Sequence, residues 1–233
     1  SFTYALTLAQ TNGRKLLIED KLLTTFINLS PFASDITFSL PTINSTDMRF
    51  FRNENDMKHN KRFDKFTLHS DATMIDIGIA YDFTSHPVPP DILRNITLHS
   101  FFINMATRFL QDHHLHPKDY ACLHHRGTDF SKTPNFVPLH VSASALLKEA
   151  PSIRTLFVST DENPDVIKDT LQKLLPDHTL LFIYNDPMQT IVIDGQPWNA
   201  YAIGTSLHVC AMASHTILNP ASTFSNLIHI LSL

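Results

Sequence analysis

Two short segments of the sequence carry side chains that could bind a phosphate group. His124, Arg126 and Asp129 lie together in one segment, and Ser222-Thr223-Phe224-Ser225 lies near the C-terminal end. A guanidinium group offers planar, permanently charged donors for phosphate oxygens. Hydroxyl side chains at the start of a helix add their own donors to the backbone N–H groups and the positive end of the macrodipole. Together the two segments favour a nucleotide diphosphate as ligand.

The elements that must position these residues alternate between short apolar strands and helices. The pattern predicts strands over 119–125, 155–159, 179–184 and 216–218, and helices over 141–150, 164–175, 198–212 and 223–231. Such alternation is typical of a parallel sheet with right-handed crossovers. The strands are apolar throughout, as a sheet covered by helices on both faces requires. We therefore predict an α/β, Rossmann-like C-terminal half.

The carboxyl ends of these strands mark the expected ligand site, because ligands of open parallel sheets bind beyond them. Arg126 follows the first predicted strand, Asp161 follows the second, and Ser222–Ser225 follow the last. Asp161 could accept hydrogen bonds from a base or a ribose. Neither a dinucleotide-binding glycine fingerprint nor a P-loop is present. The residues alone thus predict an anionic ligand that carries a nucleotide.

The N-terminal half shows the same layer pattern in a less regular form. We predict a helix over 2–11, a strand over 15–18, a polar loop over 53–62, strand structure within 66–83, and a helix over 91–111 with Phe101 and Phe102 in the core. The sequence opens in a helical pattern without an initiator methionine or a signal peptide, so we expect the native N-terminus to be missing. The fold is then two Rossmann-like halves, residues 1–112 and 113–233.

Composition excludes several classes of protein. The 233 residues are 43% hydrophobic and 17% charged, with a net charge of −4, which is typical of a packed globular chain. Nucleic acid is not expected as a partner, because its binding needs a basic stripe. No apolar run is long enough for a membrane-spanning helix.

The cysteines and the glycosylation motifs give little indication of the cellular compartment in which the protein folds. Cys122 and Cys210 both stand among apolar residues, and we interpret them as small core residues rather than a disulfide framework. Asn-x-Ser/Thr motifs occur at Asn28, Asn44 and Asn95. Chance alone would supply about this many in a chain rich in these residues, so the motifs do not establish secretion.

Histidines cluster at His113, His114, His116, His124 and His125. A zinc site is one interpretation, since imidazole is a common ligand. The first three stand at a predicted helix end, where the macrodipole favours cations without a metal. The last two point to opposite faces of a strand, and no motif completes a site. We expect no metal.

Three motifs in order resemble a known family. The sequence His124-x-Arg126-x-x-Asp129-Phe130 resembles the His-x-Arg-x-x-Asp motif of the α1,2-, α1,6- and protein O-fucosyltransferase superfamily. The run from Leu156 to Asp161 is similar to its second motif, an apolar strand ending in Thr-Asp or Ser-Asp. Ser222–Ser225 resemble the third. Order and spacing agree over about 119–233, with weaker similarity over 1–20.

The resemblance implies a metal-independent glycosyltransferase of GT-B type. Such an enzyme would transfer fucose from GDP-fucose to a glycan or protein hydroxyl with inversion at the anomeric carbon, so GDP-fucose is a substrate and no cofactor is implied. Residues 1–112 would form the acceptor side, and residues 113–233 would bind the nucleotide sugar. The family would place the protein in the endoplasmic reticulum or Golgi lumen, or in a microbial cytoplasm.

The resemblance also implies roles for single residues. Arg126 would neutralise the β-phosphate as the glycosidic bond breaks, and Asp129 would orient Arg126 or its loop. His124 would approach the diphosphate or the nucleoside. The nucleotide would further be held by Asp161, Ser222, Thr223, Phe224 and Ser225.

Other interpretations of these residues stay open in the sequence. Arg126 could form a structural salt bridge with Asp129 or Asp161, and Ser222–Ser225 could be an ordinary helix cap. Asp161 could cap the helix that follows it. As alternatives for the whole chain, a GT-B transferase could use another nucleotide sugar, or a degenerate domain of this fold could bind a glycan or a protein partner without catalysis.

Overall fold

The computed structural model describes residues 16–17, 27–28, 30–32, 36–37, 48–50, 74–76, 94–128, 130–184, 190–193, 196–219 and 222–232. Contacts divide the chain into two compact units, Ser1–Thr24 with Asn28–Ile96, and Thr25–Ile27 with Thr97–Leu233. The assignment of residues 1–112 to an acceptor side and 113–233 to a donor side stays a prediction.

Short strands are described in the first part of the chain: β1 (Leu16–Leu17), β2 (Ile27–Asn28), β3 (Ile36–Thr37), β4 (Met48–Phe50) and β5 (Met74–Asp76), with a 3-10 turn at Ser30–Phe32. β1 pairs in parallel with β3, and β4 pairs in parallel with β5. The strands predicted within 15–18 and 66–83 are therefore confirmed in part. The helix predicted over 2–11 and the loop over 53–62 lie outside the described residues.

The second unit contains the larger sheet and its helices. Its elements are β6 (Thr97–Leu98), α1 (Ser100–Asp112), β7 (Ala121–His125), α2 (Leu139–Glu149), β8 (Thr155–Thr160), α3 (Pro164–Leu174), β9 (Thr179–Phe182), β10 (Thr190–Ile193), β11 (Gln196–Asn199), α4 (Ala200–Ala211), β12 (His215–Ile217) and α5 (Thr223–Leu231). Four strands form a parallel sheet in the order β12-β7-β8-β9. Within the described ranges, no helix is long and apolar enough to cross a bilayer.

Both faces of this sheet are covered by helices, as the sequence predicts. On one face, Leu123, Val158 and Phe182 pack against α2 and α3 around Leu146 and Leu171. On the other face, α4 lies against β7 and β8, with α1 and α5 packed on α4. Full burial of each large apolar side chain contributes about 1.5–3 kcal/mol. This double cover holds the strand ends, and therefore the loops that follow them, in fixed positions.

Cys122 and Cys210 form a disulfide between β7 and α4. Their placement in the core is confirmed, because both are 0% exposed, but the interpretation that they are unpaired core residues is wrong. The apolar neighbours of each cysteine in the sequence indicate burial, but they do not show whether the cysteine is paired. The pairing depends on α4 crossing β7, which brings the two Cα atoms to 5.1 Å across a sequence separation of 88.

The helix predicted over 91–111 is divided in the structure. Residues 94 and 95 are helical, β6 follows at Thr97–Leu98, and α1 begins at Ser100. In β6 an exposed Thr97 alternates with a buried Leu98, as the period of two of a strand requires.

One residue of the predicted aromatic core pair lies outside the core. Phe102 is buried at 5% exposure, whereas Phe101 is 57% exposed. Consecutive residues on a helix point about 100° apart, so α1 can direct only one of the two toward α4.

A hairpin replaces part of a predicted loop and the start of a predicted helix. β10 and β11 pair antiparallel, and Trp198, predicted to begin a helix, lies in β11. α4 begins two residues later, at Ala200, where Asn199 accepts a capping hydrogen bond from the N–H of Ala202. The sequence held a signal for this hairpin, since Asp194-Gly195, a pair that favours tight hairpin turns, directly follows the apolar run of β10.

Candidate functional site

The strand order places a switch point between β7 and β12. From β7 the chain adds β8 and β9 on one side and then returns to place β12 on the other. In open parallel sheets, ligands bind in the crevice beyond the carboxyl ends at such a point. Arg126 directly follows β7, and the segment from Asn219 to α5 follows β12. The first and third predicted motifs therefore flank the expected crevice.

His124 joins these two motifs directly. Its Nδ1 lies 2.7 Å from the Oγ of Ser225 in α5. Its ring also packs on Phe224, with centroids 4.6 Å apart. His124 and Ser225 are buried, at 6% and 1% exposure. The hydrogen bond thus fixes the end of β7 against the first turn of α5.

The imidazole of His124 is neutral at ordinary pH. The pKa of His124 is lowered from 6.5 to about 4, mainly by burial and in smaller part by the nearby Arg126 guanidinium and His125, while Asp161 opposes the shift. A neutral ring can donate or accept a hydrogen bond but carries no charge. Positive charge at this edge therefore comes from Arg126 rather than from His124.

Asn219 ties the loop after β12 to its surroundings. Its N–H donates to Ser225 Oγ at 3.1 Å, and its side-chain Nδ2 donates to the carbonyl of Asn135 at 3.1 Å. Its carbonyl accepts from the N–H of Ser222. Asn219 is 3% exposed. Asn219 is not among the predicted site residues, because the sequence does not show its contact with Asn135, which is 84 residues away.

The start of α5 lacks the side-chain cap that its sequence suggests. Ser222 occupies the N-cap position but makes no capping hydrogen bond. The first N–H groups of a helix have no partner within the helix and need one from outside it. Because its side chain makes no capping hydrogen bond, Ser222 is not an ordinary cap. A helix start without a side-chain cap is suited to an anionic ligand. Phe224 packs on His124 as described, and the side chain of Thr223 lies outside the described residues.

Arg126 stands at the edge of this arrangement with part of its side chain exposed. Its Nε lies 3.3 Å from Asp161 Oδ2, and the two side chains are 35% and 24% exposed. Its Cζ lies 5.6 Å from the ring centroid of Phe130. The salt bridge with Asp161 that the sequence left open is therefore present. At this exposure, such a pair contributes about 1 kcal/mol or less to stability, so its main effect is to orient the guanidinium.

Asp161 organises the loop after β7. Its Oδ1 accepts from the N–H of Gly127 at 2.8 Å and of Thr128 at 3.4 Å, and its Oδ2 accepts from the Thr128 hydroxyl at 2.5 Å. The alternative that Asp161 caps α3 is wrong, because Asn163 is the cap and accepts from the N–H of Asp165. The second motif thus fixes the loop that carries Arg126.

Glu162 and His125 add a second link between the same strands. His125 Nε2 lies 2.8 Å from Glu162 Oε2, and the His125 side chain is only 3% exposed. A Cβ at position 127 would overlap the Glu162 carboxylate, so a larger residue there would displace this side chain. His124 and His125 contact opposite faces of the sheet, as predicted. Strand alternation predicts that the His125 side chain points away from that of His124, but its partner Glu162 could not be assigned from sequence.

One predicted site residue is not located by the structure. Asp129 lies outside the described residues, so its role stays a prediction. His113, His114 and His116 are exposed at the end of α1. Among the described residues, no group of three or more histidine, cysteine or acidic side chains could hold a metal ion.

Solved structures of fucosyltransferases match the chain over nearly its whole length. POFUT1 in complex with GDP-fucose matches with a TM-score of 0.62 and 12% identity, over 99% of this chain and 88% of that one. Fucosyltransferase NodZ from Bradyrhizobium matches with a TM-score of 0.58 and 15% identity, over 98% and 87%. NodZ α-1,6-fucosyltransferase co-crystallized with GDP matches with a TM-score of 0.59 and 16% identity, over 98% and 87%.

By sequence, no protein-family model and no curated protein matches the chain. The similarity to the solved structures is therefore one of fold. The chain has the α/β fold that these fucosyltransferases share, and the resemblance predicted from the three motifs is confirmed at that level.

Proposed function

We propose that this protein is a glycosyltransferase that transfers fucose from GDP-fucose to a hydroxyl group of a glycan or a protein, with inversion. Support comes from structural neighbours that were solved with GDP-fucose or GDP. The observation that carries the proposal is the hydrogen bond of 2.7 Å between His124 and Ser225, because it joins the first and third motifs at the switch point.

Arg126 supplies the main electrostatic contribution in this proposal. As the bond between fucose and the diphosphate breaks, negative charge grows on the β-phosphate. A guanidinium group held at the edge of the site stabilises that charge in the transition state more than in the ground state. The pair with Asp161 pre-orients the guanidinium, and 35% of the arginine side chain stays exposed toward solvent.

The start of α5 is the second source of positive potential. Its first N–H groups and the Ser222 hydroxyl would bind the diphosphate, since Ser222 makes no capping bond. His124 contributes a hydrogen bond rather than charge, because its pKa is about 4. In the tautomer where the Ser225 hydroxyl donates to Nδ1, the Nε2–H of His124 is a donor for the nucleotide.

The remaining residues act on Arg126 or on the bound nucleotide. Asp161 holds the backbone of Gly127 and Thr128, so its primary role in this proposal is positioning. Asp129 would orient Arg126 or its loop, as the family resemblance implies. Arg126 and the helix start together supply the positive charge that a metal supplies in other transferases. We therefore propose metal-independent transfer of GT-B type.

Nucleotide binding and turnover test the proposal in two steps. Thermal shift is measured with GDP, UDP and ADP, and release of GDP from GDP-fucose is measured with and without a chelator. We expect stabilisation by GDP above the others and turnover that the chelator leaves unchanged. Stabilisation by UDP instead would indicate another nucleotide sugar. Binding of GDP without any turnover would indicate a degenerate domain.

A further inference from the structure

The disulfide between Cys122 and Cys210 indicates the compartment in which the protein folds, and that compartment decides whether the Asn-x-Ser/Thr motifs can be glycosylated. Both cysteines are 0% exposed and lie at the centre of the second unit, where β7 meets α4. Structural disulfides form in oxidising compartments and are rare in the cytosol. A chain that closes this disulfide as it folds therefore passes through such a compartment, and in a eukaryotic cell that compartment also contains the machinery for N-glycosylation.

We propose that the protein matures in the oxidising lumen of the secretory pathway and carries an N-linked oligosaccharide on Asn95. The inference does not depend on the proposed transferase activity. It rests on the disulfide, on the sequence Asn95-Ile96-Thr97, and on the exposure of this segment.

Both recognised residues of the motif are exposed in the folded protein. Asn95 ends a helical stretch at residues 94 and 95, and Thr97 begins β6. Both are exposed, whereas Ile96 and Leu98 are 5% and 2% exposed. A bulky, hydrated oligosaccharide on Asn95 is therefore compatible with the folded protein.

The other two motifs are weaker candidates. Asn28 is half-buried. Asn44 lies outside the described residues. Of the two motifs that the structure describes, the one at Asn95 has both its asparagine and its hydroxyl residue exposed.

The modification itself is a transfer from a lipid-linked oligosaccharide diphosphate. A bond forms between Nδ2 of Asn95 and the anomeric carbon of the first sugar. The bond from that carbon to the diphosphate oxygen breaks, and the amide loses one proton as the diphosphate departs. No oxidant or metal from this chain takes part.

Peptide mapping of the full chain purified from its own cells tests both parts of the proposal. The protein is digested without reduction, before and after release of N-glycans with peptide N-glycosidase, and analysed by mass spectrometry. We expect Cys122 and Cys210 in one cross-linked species, and conversion of Asn95 to aspartate on glycan release. Free thiols would overturn the assignment to an oxidising compartment, and an unmodified Asn95 would overturn the glycan site.

Matched variants in a eukaryotic secretory host separate the motif from other causes of a mobility shift. Thr97→Ala and Asn95→Gln are expected to lose one glycan, seen as a single step in gel mobility. Thr97→Ser keeps the motif and is expected to keep the glycan. Equal mobility of Thr97→Ala and Thr97→Ser would contradict the assignment, whatever the transferase activity of these variants.

Discussion

At the scale of single residues, both carboxylate oxygens of Asp161 are already bound by groups of the protein itself. It accepts from Gly127 and Thr128 and pairs with the Nε of Arg126. The sequence suggested contact with a base or a ribose for this residue. The contacts favour a role in holding the arginine loop, and this role can be separated from ligand binding by kinetics.

Asp161→Asn is expected to lower kcat with GDP-fucose by on the order of 10-fold to 100-fold, because misplacement of a positioned group costs about that much. The affinity for GDP should change much less. Asp165→Asn, on the exposed first turn of α3, is the matched control and should leave kcat unchanged. An unchanged kcat in Asp161→Asn, measured by GDP release, would show that the loop needs no such support.

His124 makes stability depend on pH. Its pKa is about 4 in the folded chain and 6.5 when unfolded, so between these values the unfolded chain binds more protons. The contribution of His124 to the free energy of unfolding is therefore fully present above about pH 6.5. It falls by at most about 3 kcal/mol as the pH falls toward 4. Burial also lowers the pKa of His208, which adds to the same dependence on pH.

Urea unfolding across this pH range measures the effect. We expect the free energy of unfolding to fall with pH in the native protein, and to fall less in His124→Asn, which has no titrating ring. Equal pH slopes in the two proteins would rule out His124 as a source of the acid sensitivity.

At the scale of elements, α1 and α4 approach each other closely at Gly204. A Cβ at this position would overlap the ring of Phe102. Gly204→Ala is expected to destabilise the protein by about 1–3 kcal/mol through overpacking, which outweighs the gain of about 1 kcal/mol in helix propensity. Chemical denaturation measures the change. The double variant with Phe102→Leu should recover part of the loss, and failure to recover any would place the strain elsewhere.

The regular elements were predictable because their signals are local. The apolar periodicity of β7, β8 and α5 and the proline at the start of α3 stand in the sequence itself, and the structure confirms these elements within one or two residues. The β10–β11 hairpin was missed because the apolar run after β9 was interpreted as a loop. β6 was missed because its two residues lie within a long helical pattern that was interpreted as one helix.

Contacts between distant residues were not predictable from one sequence. The edge that gathers Arg126, Asp161 and the start of α5 follows from the rule for parallel sheets. The partners of individual side chains do not follow from it. The links of His125 to Glu162 and of Asn219 to Asn135 depend on how neighbouring loops fold. The disulfide depends on how α4 crosses β7.

At the scale of the whole molecule, the disulfide is the covalent link between the sheet and the α4 layer. It closes a loop with a sequence separation of 88, and loops of this size correspond to about 4.6 kcal/mol of stabilisation in the chain-entropy account. Cys122→Ala/Cys210→Ala is expected to unfold at clearly lower denaturant concentration, measured by circular dichroism. A midpoint equal to that of the native protein would contradict this role.

The proposed activity depends on the guanidinium of Arg126 and on the start of α5 acting on one diphosphate. Both follow strands that flank the switch point of the sheet. The central claim is therefore tested by replacing the arginine and measuring turnover rather than binding alone.

The decisive measurement is kcat for GDP release from GDP-fucose in Arg126→Ala, with Arg126→Lys beside it. Arg154→Ala is the control, since Arg154 lies at the opposite end of β8, where its guanidinium donates to the backbone carbonyls of Pro151 and Ile153. We predict a loss on the order of 10²–10³ in kcat for Arg126→Ala, with the fold retained. The lysine variant should recover part of the rate, and the control should match the native protein. Turnover that survives Arg126→Ala at the native rate would contradict the account.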